Sequence, residues 1–140
     1  MGSTTNRYLA YPNTVAGKSL VSSATAWTFG SYVELVPVNT ITVDFYIVGF
    51  VWLTFPTAAV DVTVETLFEV ATGLAASEVL AVQFPSTWRI DSAAGHMPLP
   101  QIILPEPKLI AANTRLSARV ANTGTVAFTY AGFKLLYQRA

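Results

Sequence analysis

The 140 residues include no cysteine and only one histidine, His96. Without cysteine the chain has no disulfide, no thiolate metal ligand and no cysteine nucleophile. One imidazole does not make a zinc site, which typically takes three or four protein ligands, and no nucleophile or acid partner for His96 is recognisable. We therefore predict no catalytic, metal-binding or cofactor-binding residue, and we expect that the protein is not an enzyme.

Charge is also scarce. Charged residues make up 11% of the chain, whereas about 25% is usual in globular domains. Eight basic and eight acidic residues give a formal net charge of zero. A neutral surface permits close self-association and offers no long-range attraction for nucleic acid or anionic lipid. We expect a homo-oligomer with no nucleic-acid or membrane partner.

Targeting and membrane signals are absent as well. Residues 1–7 lack the basic start and apolar stretch of a secretory signal, so we expect no direct export. The longest apolar run, residues 45–60, is shorter than the roughly 20 residues of a membrane helix and contains Pro56. Its alternating first half favours a strand instead.

Period-2 alternation dominates from Ser31 onward, and no segment shows a sustained helical period with a cap. Seven to eight short strands joined by Pro and Gly turns predict an all-β antiparallel sandwich in residues 31–140. A jelly roll is the preferred version, and an immunoglobulin-like sandwich is the alternative. On the predicted strand that ends before Thr72, Leu67 is the exception on the polar face, and Thr66 stands among the apolar residues of the other face.

Several local features of these strands are predicted from turn chemistry. A hairpin loop is expected at 73–77, a second hairpin turn at 122–124, and a β-bulge at Gly132, where the apolar positions shift by one residue. The prolines of 98–107 indicate polyproline geometry or an edge strand. Pro85 is expected to end a strand.

Residues 1–30 are too polar to form a core of their own and predict an extended N-terminal arm. The arm carries four aromatic side chains that are suited to anchoring on another surface. A disordered leader is the alternative. The predicted anchors are Tyr8, Tyr11, Trp27 and Phe29.

The strand at 41–53 begins as a half-buried strand and ends apolar on both faces. Simple alternation places Val48, Phe50 and Trp52 on its outer face, where a small domain needs a cover from another segment or another copy of the chain. We predict these three residues as interface candidates.

Two pairs of charged residues have matching spacing. Residues four apart on a strand are separated by about 13 Å, beyond the roughly 5–9.5 Å of catalytic carboxylate pairs, so Glu65 and Glu69 do not predict a glycosidase. Arg115 and Arg119 have the same spacing and are expected to oppose the two glutamates across strands or across a subunit boundary. They complete the interface candidates.

Aromatic side chains can also stack on sugar rings. Trp88, beside Arg89 and followed by a polar loop, is the candidate sugar contact.

Three segments of the last third of the chain carry a family resemblance: 102–107, 110–120 and 133–137. A proline-framed segment, a turn, an arginine-bearing strand and a closing strand follow one another. This order resembles the capsid decoration proteins and related head-surface jelly rolls of tailed bacteriophages. It also resembles phage tail or fibre subunits.

The resemblance implies a structural virion protein, made in the host cytoplasm and located on the capsid surface. Decoration proteins of this kind often form trimers and stiffen the shell, so the implied partners are further copies of the chain and the major capsid protein or other virion subunits. The alternative function is a carbohydrate- or receptor-binding domain of a phage tail or fibre.

Overall fold

The computed structural model describes residues 8–14, 16–52, 61–90 and 101–140. These residues form β-strands and no helix. His96 and the prolines at 98 and 100 lie outside the described residues. The strands are β1 Leu9–Tyr11, β2 Lys18–Val21, β3 Val33–Val36, β4 Phe45–Val51, β5 Val62–Thr72, β6 Val79–Ile90, β7 Gln101–Ile110, β8 Leu116–Asn122 and β9 Thr129–Arg139.

The strands form two sheets. Sheet 1 has the order β1-β9-β4-β7, with β2 also paired to β9, and sheet 2 has the order β3-β8-β5-β6. The antiparallel pairings are nested: β2 pairs with β9, β3 with β8, β4 with β7, and β5 with β6. One long hairpin wound into two sheets gives this pattern, which is a jelly roll. The predicted all-β sandwich is confirmed, in the version that the sequence favoured.

The described part of residues 1–30 lies in the same sandwich. Both β1 and β2 pair with β9 of their own chain, and Leu20 of β2 is buried in the core. The boundary that we predicted at residue 30 therefore does not separate an arm from the domain in these residues. Backbone pairing with β9 gives this polar segment the stability that its own side chains do not supply.

Aromatic rings fill the space between the two sheets. Phe50 of β4 stacks on Phe84 of β6 with ring centroids 4.6 Å apart. Trp52, which follows β4, lies 4.9 Å from Phe68 and 5.2 Å from Trp88. Each such pair contributes about 0.5–1.5 kcal/mol beyond the burial of its area. The rings therefore join sheet 1 to sheet 2.

A β-bulge in β4 sets which side chains enter this core. Ile47 faces Tyr137 of β9, and Gly49 faces Leu136. Two steps along β4 thus match one step along β9, and Val48 is the extra residue. An inserted residue reverses the alternation of the residues that follow it.

The bulge corrects our prediction for the end of this strand. Phe50 and Trp52 point into the core and are fully buried, and Val48 is only 4% exposed. The expectation that these side chains form an outer apolar surface is wrong, because simple alternation does not pass through a bulge. They are covered within one chain and are not available to a second copy.

The bulge predicted at Gly132 is confirmed. Lys18 faces Phe133 while Leu20 faces Tyr130, so β9 has one more residue than β2 in this interval. Gly132 has φ 74°, a left-handed conformation that glycine adopts without steric cost. The shift lets Tyr130 and Phe133 both face the core.

The other predicted turns have mixed outcomes. The β5–β6 hairpin is confirmed, with Gly73 at φ 108° in its loop, and β7 lies at the edge of sheet 1 as predicted. The strand end at Pro85 is wrong, because β6 continues through it; β6 is itself an edge strand, where proline is tolerated. The hairpin at 122–124 is also wrong, because β8 and β9 belong to different sheets.

No helix in the described ranges is long and apolar enough to cross a membrane. Phe45–Val51 forms β4, in agreement with the strand predicted there. Residues 53–60 of the same apolar run lie outside the described residues.

Trp52 provides a test of the core. Trp52→Ala is expected to lower the free energy of unfolding by about 3–5 kcal/mol, because it empties the centre of the ring cluster. Within the described part of the chain, Nε1 of Trp52 has no hydrogen-bond partner. Trp52→Phe removes this unpaired group and keeps most of the packing, so we expect less than half of the alanine loss.

Urea unfolding measures both effects. Trp27→Ala is the matched control, since Trp27 is 53% exposed and its removal should cost about 1 kcal/mol or less. Equal losses for the two alanine variants would contradict the position of Trp52 in the core.

Candidate functional site

Residues 22–32, which we call the strap, connect β2 in sheet 1 to β3 in sheet 2. The backbone N–H of Trp27 donates to the carbonyl of Asn122 at 2.7 Å, and that of Gly30 donates to the carbonyl of Val120 at 3.1 Å. These bonds hold the strap along β8. The aromatic side chains of the strap are thereby brought to the outer face of sheet 2.

Arg119 of β8 is held on that outer face by the strap and by β5. Its guanidinium carbon lies 4.2 Å from the ring centre of Phe29 and 4.3 Å from that of Tyr32. Its Nε donates to Oε1 of Glu69 at 2.8 Å, and Gln83 donates to Oε2 at 2.8 Å. Glu69 is only 5% exposed, so its charge is balanced inside the structure. Burial raises the pKa of Tyr32, against the opposing effect of Arg119.

The opposition of Arg119 and Glu69 that the sequence predicted is confirmed, and it occurs within one chain, where the two are directly paired in register. Arg115 does not oppose Glu65. Its Nε donates to Glu34 at 2.8 Å and its Nη1 donates to the carbonyl of Gly73 at 3.0 Å. Strand β3 pairs with β8 on the side opposite to β5, and it supplies Glu34 as the partner of Arg115. Matched spacing alone predicted a partner on β5.

A buried polar network lies beneath the strap. The side-chain amide of Asn122 donates to Oγ of Ser22 at 3.1 Å and to the hydroxyl of Tyr130 at 2.9 Å, while its oxygen accepts from the N–H of Gly124 at 2.9 Å. Burial raises the pKa of Tyr130 to about 12, although the hydrogen bond from Asn122 lowers it. Because the Asn122 carbonyl also binds Trp27, the network fixes the strap from below.

A shallow groove, which we call the Trp27 groove, lies between the strap and strands β5 and β6. Its volume is about 460 Å³. Thr66 is only 1% exposed, and behind the floor its hydroxyl donates to the Ser86 carbonyl at 2.9 Å and lies 2.7 Å from the Ser86 hydroxyl. The lining residues are Trp27, Glu65, Thr66, Leu67, Pro85, Ser86 and Thr87.

Trp88 is not the sugar contact that we predicted. It is 4% exposed, its Nε1 donates to Oγ of Ser86 at 2.8 Å, and its ring packs 5.2 Å from Tyr130. A buried indole has no free face on which a sugar can stack. The sequence placed Trp88 beside a polar loop, but its strand turns the indole inward.

Trp27 is instead the exposed tryptophan. Sequence reasoning assigned it to an interface and missed the groove beside it. Two signals pointed there: Trp27 stands alone among Ala, Thr and Ser, and Leu67 departs from the polar side of its strand. Both residues line the groove.

The remaining interface candidates have different surroundings. Tyr8 is 62% exposed, Tyr11 is half-buried against the core, and Phe29 is half-buried beside Arg119. Their role in contacts between subunits stays a prediction.

The outer face of sheet 1 carries exposed apolar side chains. Tyr46 faces Leu109 on the neighbouring strand, and Ile103 and Leu136 lie on either side of Gly49. The exposed fractions are 37% for Tyr46, 52% for Leu109 and 50% for Ile103. Gly49 has no side chain between these two neighbours, and Cδ1 of Ile103 lies 3.1 Å from the place that a Cβ of residue 49 would take.

No group of His, Cys, Asp or Glu that could hold a metal ion occurs in the part of the chain that the structure describes. His96 lies outside that part. Two surfaces stand out in the described ranges: the Trp27 groove and the outer face of sheet 1.

The Arg119–Glu69 pair provides a test of the outer face of sheet 2. Arg119→Met keeps packing against the rings but leaves a buried carboxylate without its cation, so we expect a loss of about 2–3 kcal/mol in urea unfolding. Adding Glu69→Gln should recover part of the loss. Arg89→Met is the control, because Arg89 pairs with Asp61 at an exposed position, where an ion pair contributes about 0–1 kcal/mol. A loss no larger than that of the control would contradict the role of the pair.

Tyr130 makes stability depend on alkaline pH. An unfolded tyrosine loses its proton near pH 10 and the native one near pH 12, so between these values the unfolded state binds fewer protons and stability falls as pH rises. The contribution is fully present below pH 10. We expect the native protein to lose up to about 1.4 kcal/mol per pH unit more than Tyr130→Phe in this window. Parallel profiles in urea unfolding at each pH would refute the assignment.

Searches of family models, of curated proteins and of solved structures find no match to this chain.

Proposed function

We propose that the protein is a structural subunit that works by assembly: a capsid decoration protein that binds the head surface of a phage and stabilises the shell. The proposal follows the resemblance of residues 102–107, 110–120 and 133–137 to such proteins. Further copies of the chain, as a trimer, and the major capsid protein are its proposed partners. No catalysis is part of this function.

The observation that supports assembly best is the outer face of sheet 1. Tyr46, Ile103 and Leu109 are large apolar side chains on neighbouring strands, each between 37% and 52% exposed. Apolar area removed from water stabilises a contact by about 25 cal/mol per Å². Tyr46 and Leu109 face each other across these strands, and exposed apolar surface of this kind is typical of protein interaction sites.

The low charge of the chain supports the same function. With a net charge of zero, identical surfaces approach one another without long-range repulsion. Contacts that form only between folded subunits stabilise those subunits by mass action. A shell covered by many copies gains this stabilisation at every site.

The proposed contact surface differs from the one in the sequence prediction. Phe50 and Trp52 belong to the interior of the chain, whereas Tyr46, Leu109 and Ile103 lie outside it. The bulge at Val48 accounts for the difference, since it turns the large rings inward and places Gly49 between Ile103 and Leu136.

The mass of the purified protein in solution, from light scattering over a range of concentrations, tests self-association. We expect about three times the chain mass, and a monomer for the double variant Ile103→Lys/Leu109→Lys, because two buried ammonium groups oppose the contact. Val126→Lys is the matched control, an aliphatic side chain that is 61% exposed elsewhere. A monomeric native protein, or an oligomer that survives the double variant, would contradict this interface.

The location on a capsid needs a separate measurement. Virions purified from cells that produce the protein should contain it in a fixed ratio to the major capsid protein. Its absence from such particles would remove the capsid proposal, whatever the oligomeric state.

A further inference from the structure

We propose that the Trp27 groove is a binding site for a neutral saccharide, with one pyranose ring stacked on the indole of Trp27. This site is separate from the outer face of sheet 1 and does not depend on the assembly proposed above. The inference rests on the exposure of Trp27, on its backbone conformation and on the polar groups beside it.

The indole of Trp27 is open to solvent. It is 53% exposed, whereas Trp52 and Trp88 are 0% and 4% exposed. Its side chain lines the groove on the outer face of sheet 2. An indole presents a large, rigid apolar surface with few rotatable bonds, and the C–H face of a pyranose matches such a surface.

The backbone of Trp27 has a left-handed conformation. Its φ of 56° is unfavourable for a bulky residue and occurs where the surrounding structure imposes it. The constraint here is the bond from the Trp27 N–H to the Asn122 carbonyl, at 2.7 Å, because Asn122 is itself held by Ser22 and Tyr130. The backbone that carries the indole is thus fixed beside the groove before any ligand arrives, which reduces the entropic cost of binding.

Polar groups lie next to the indole, as hydrogen bonding to sugar hydroxyls requires. Glu65 and Thr87 face each other across β5 and β6, and both are exposed. The carboxylate accepts from hydroxyl groups, and the threonine hydroxyl both donates and accepts. Ser86 and Thr66 are bonded to one another, so Glu65 and Thr87 are the groups available to orient a ligand.

The charge of the groove selects the class of saccharide. Among the described residues that line it, Glu65 is the charged one, and none is lysine or arginine. The nearby Arg119 is paired with Glu69. An acidic glycan would meet an unbalanced carboxylate, so a neutral glycan is favoured. The volume of about 460 Å³ falls within the roughly 300–1,000 Å³ of typical ligand sites.

Titration calorimetry with mannohexaose, cellohexaose and chitohexaose tests the proposal on the full chain. We expect at least one of these neutral probes to bind, and we expect Trp27→Ala to weaken that binding at least tenfold. Tyr8→Ala, which removes an exposed aromatic ring outside the groove, is the matched control and should bind as the native protein does. The unfolding temperature of each variant is measured alongside.

Two further variants keep the test independent of the strap. Glu65→Ala and Thr87→Val change side chains that are exposed on strands, and each should weaken binding while the unfolding temperature stays within a few degrees of native. If Trp27→Ala does not fold, these two variants decide whether the saccharide binds in the groove. Binding that is unchanged in both would overturn the proposal.

Fluorescence gives a second readout. Trp27 is the tryptophan that acrylamide reaches, since the other two are buried, so a bound probe should reduce the quenching. Failure of all three neutral probes to bind, or binding of dextran sulfate in their place, would overturn the proposed site.

Discussion

The bulge at Val48 is the constraint on which the rest of the structure depends. Side chains on a strand alternate between two faces, so one inserted residue moves every later side chain to the opposite face. Here it turns Phe50 and Trp52 toward sheet 2, where they meet Phe84, Phe68 and the other rings. Without the inserted residue the same side chains would lie outside, and the two sheets would lack the centre of their contact.

The sequence predicts the large features of this fold because they depend on local patterns. Alternation and turn residues gave the all-β class, the hairpin at Gly73 and the edge strand with its prolines. The shift of apolar positions at Gly132 revealed a bulge, since glycine marked the place. The bulge in β4 also has a glycine beside it, Gly49, but the run around it is apolar on both faces, so no shift of the apolar positions reveals the bulge.

Long-range pairing sets a further limit on what spacing can predict. Arg119 opposes Glu69, as matched spacing suggested, but Arg115 binds Glu34, whose strand is distant in sequence. The turn at 122–124 resembles a hairpin locally, yet it carries the chain from one sheet to the other. For the same reason Trp88, which we expected to be exposed, is buried, and Trp27, which we expected to pack on another surface, is exposed. Whether a side chain is buried depends on which strands pack over it, and the local sequence does not determine those strands.

The two outer faces of the sandwich are built differently. Sheet 2 carries paired charges, the strap and the Trp27 groove, whereas sheet 1 carries exposed aliphatic and tyrosine side chains on β4 and β7. A jelly roll keeps these surfaces apart, because its core lies between them. One face can therefore serve assembly while the other remains open, and neither role requires a change in the interior.

The nested pairing of strands also imposes an order on synthesis. Strand β9 lies in the middle of sheet 1, between β4 and the N-terminal strands β1 and β2. It is nevertheless the last of the nine strands to leave the ribosome. Until then β4 has no neighbour on that side, and contacts that span most of the chain form slowly. The nascent protein must therefore hold an incomplete sheet, with its aromatic residues uncovered, until translation has passed residue 139.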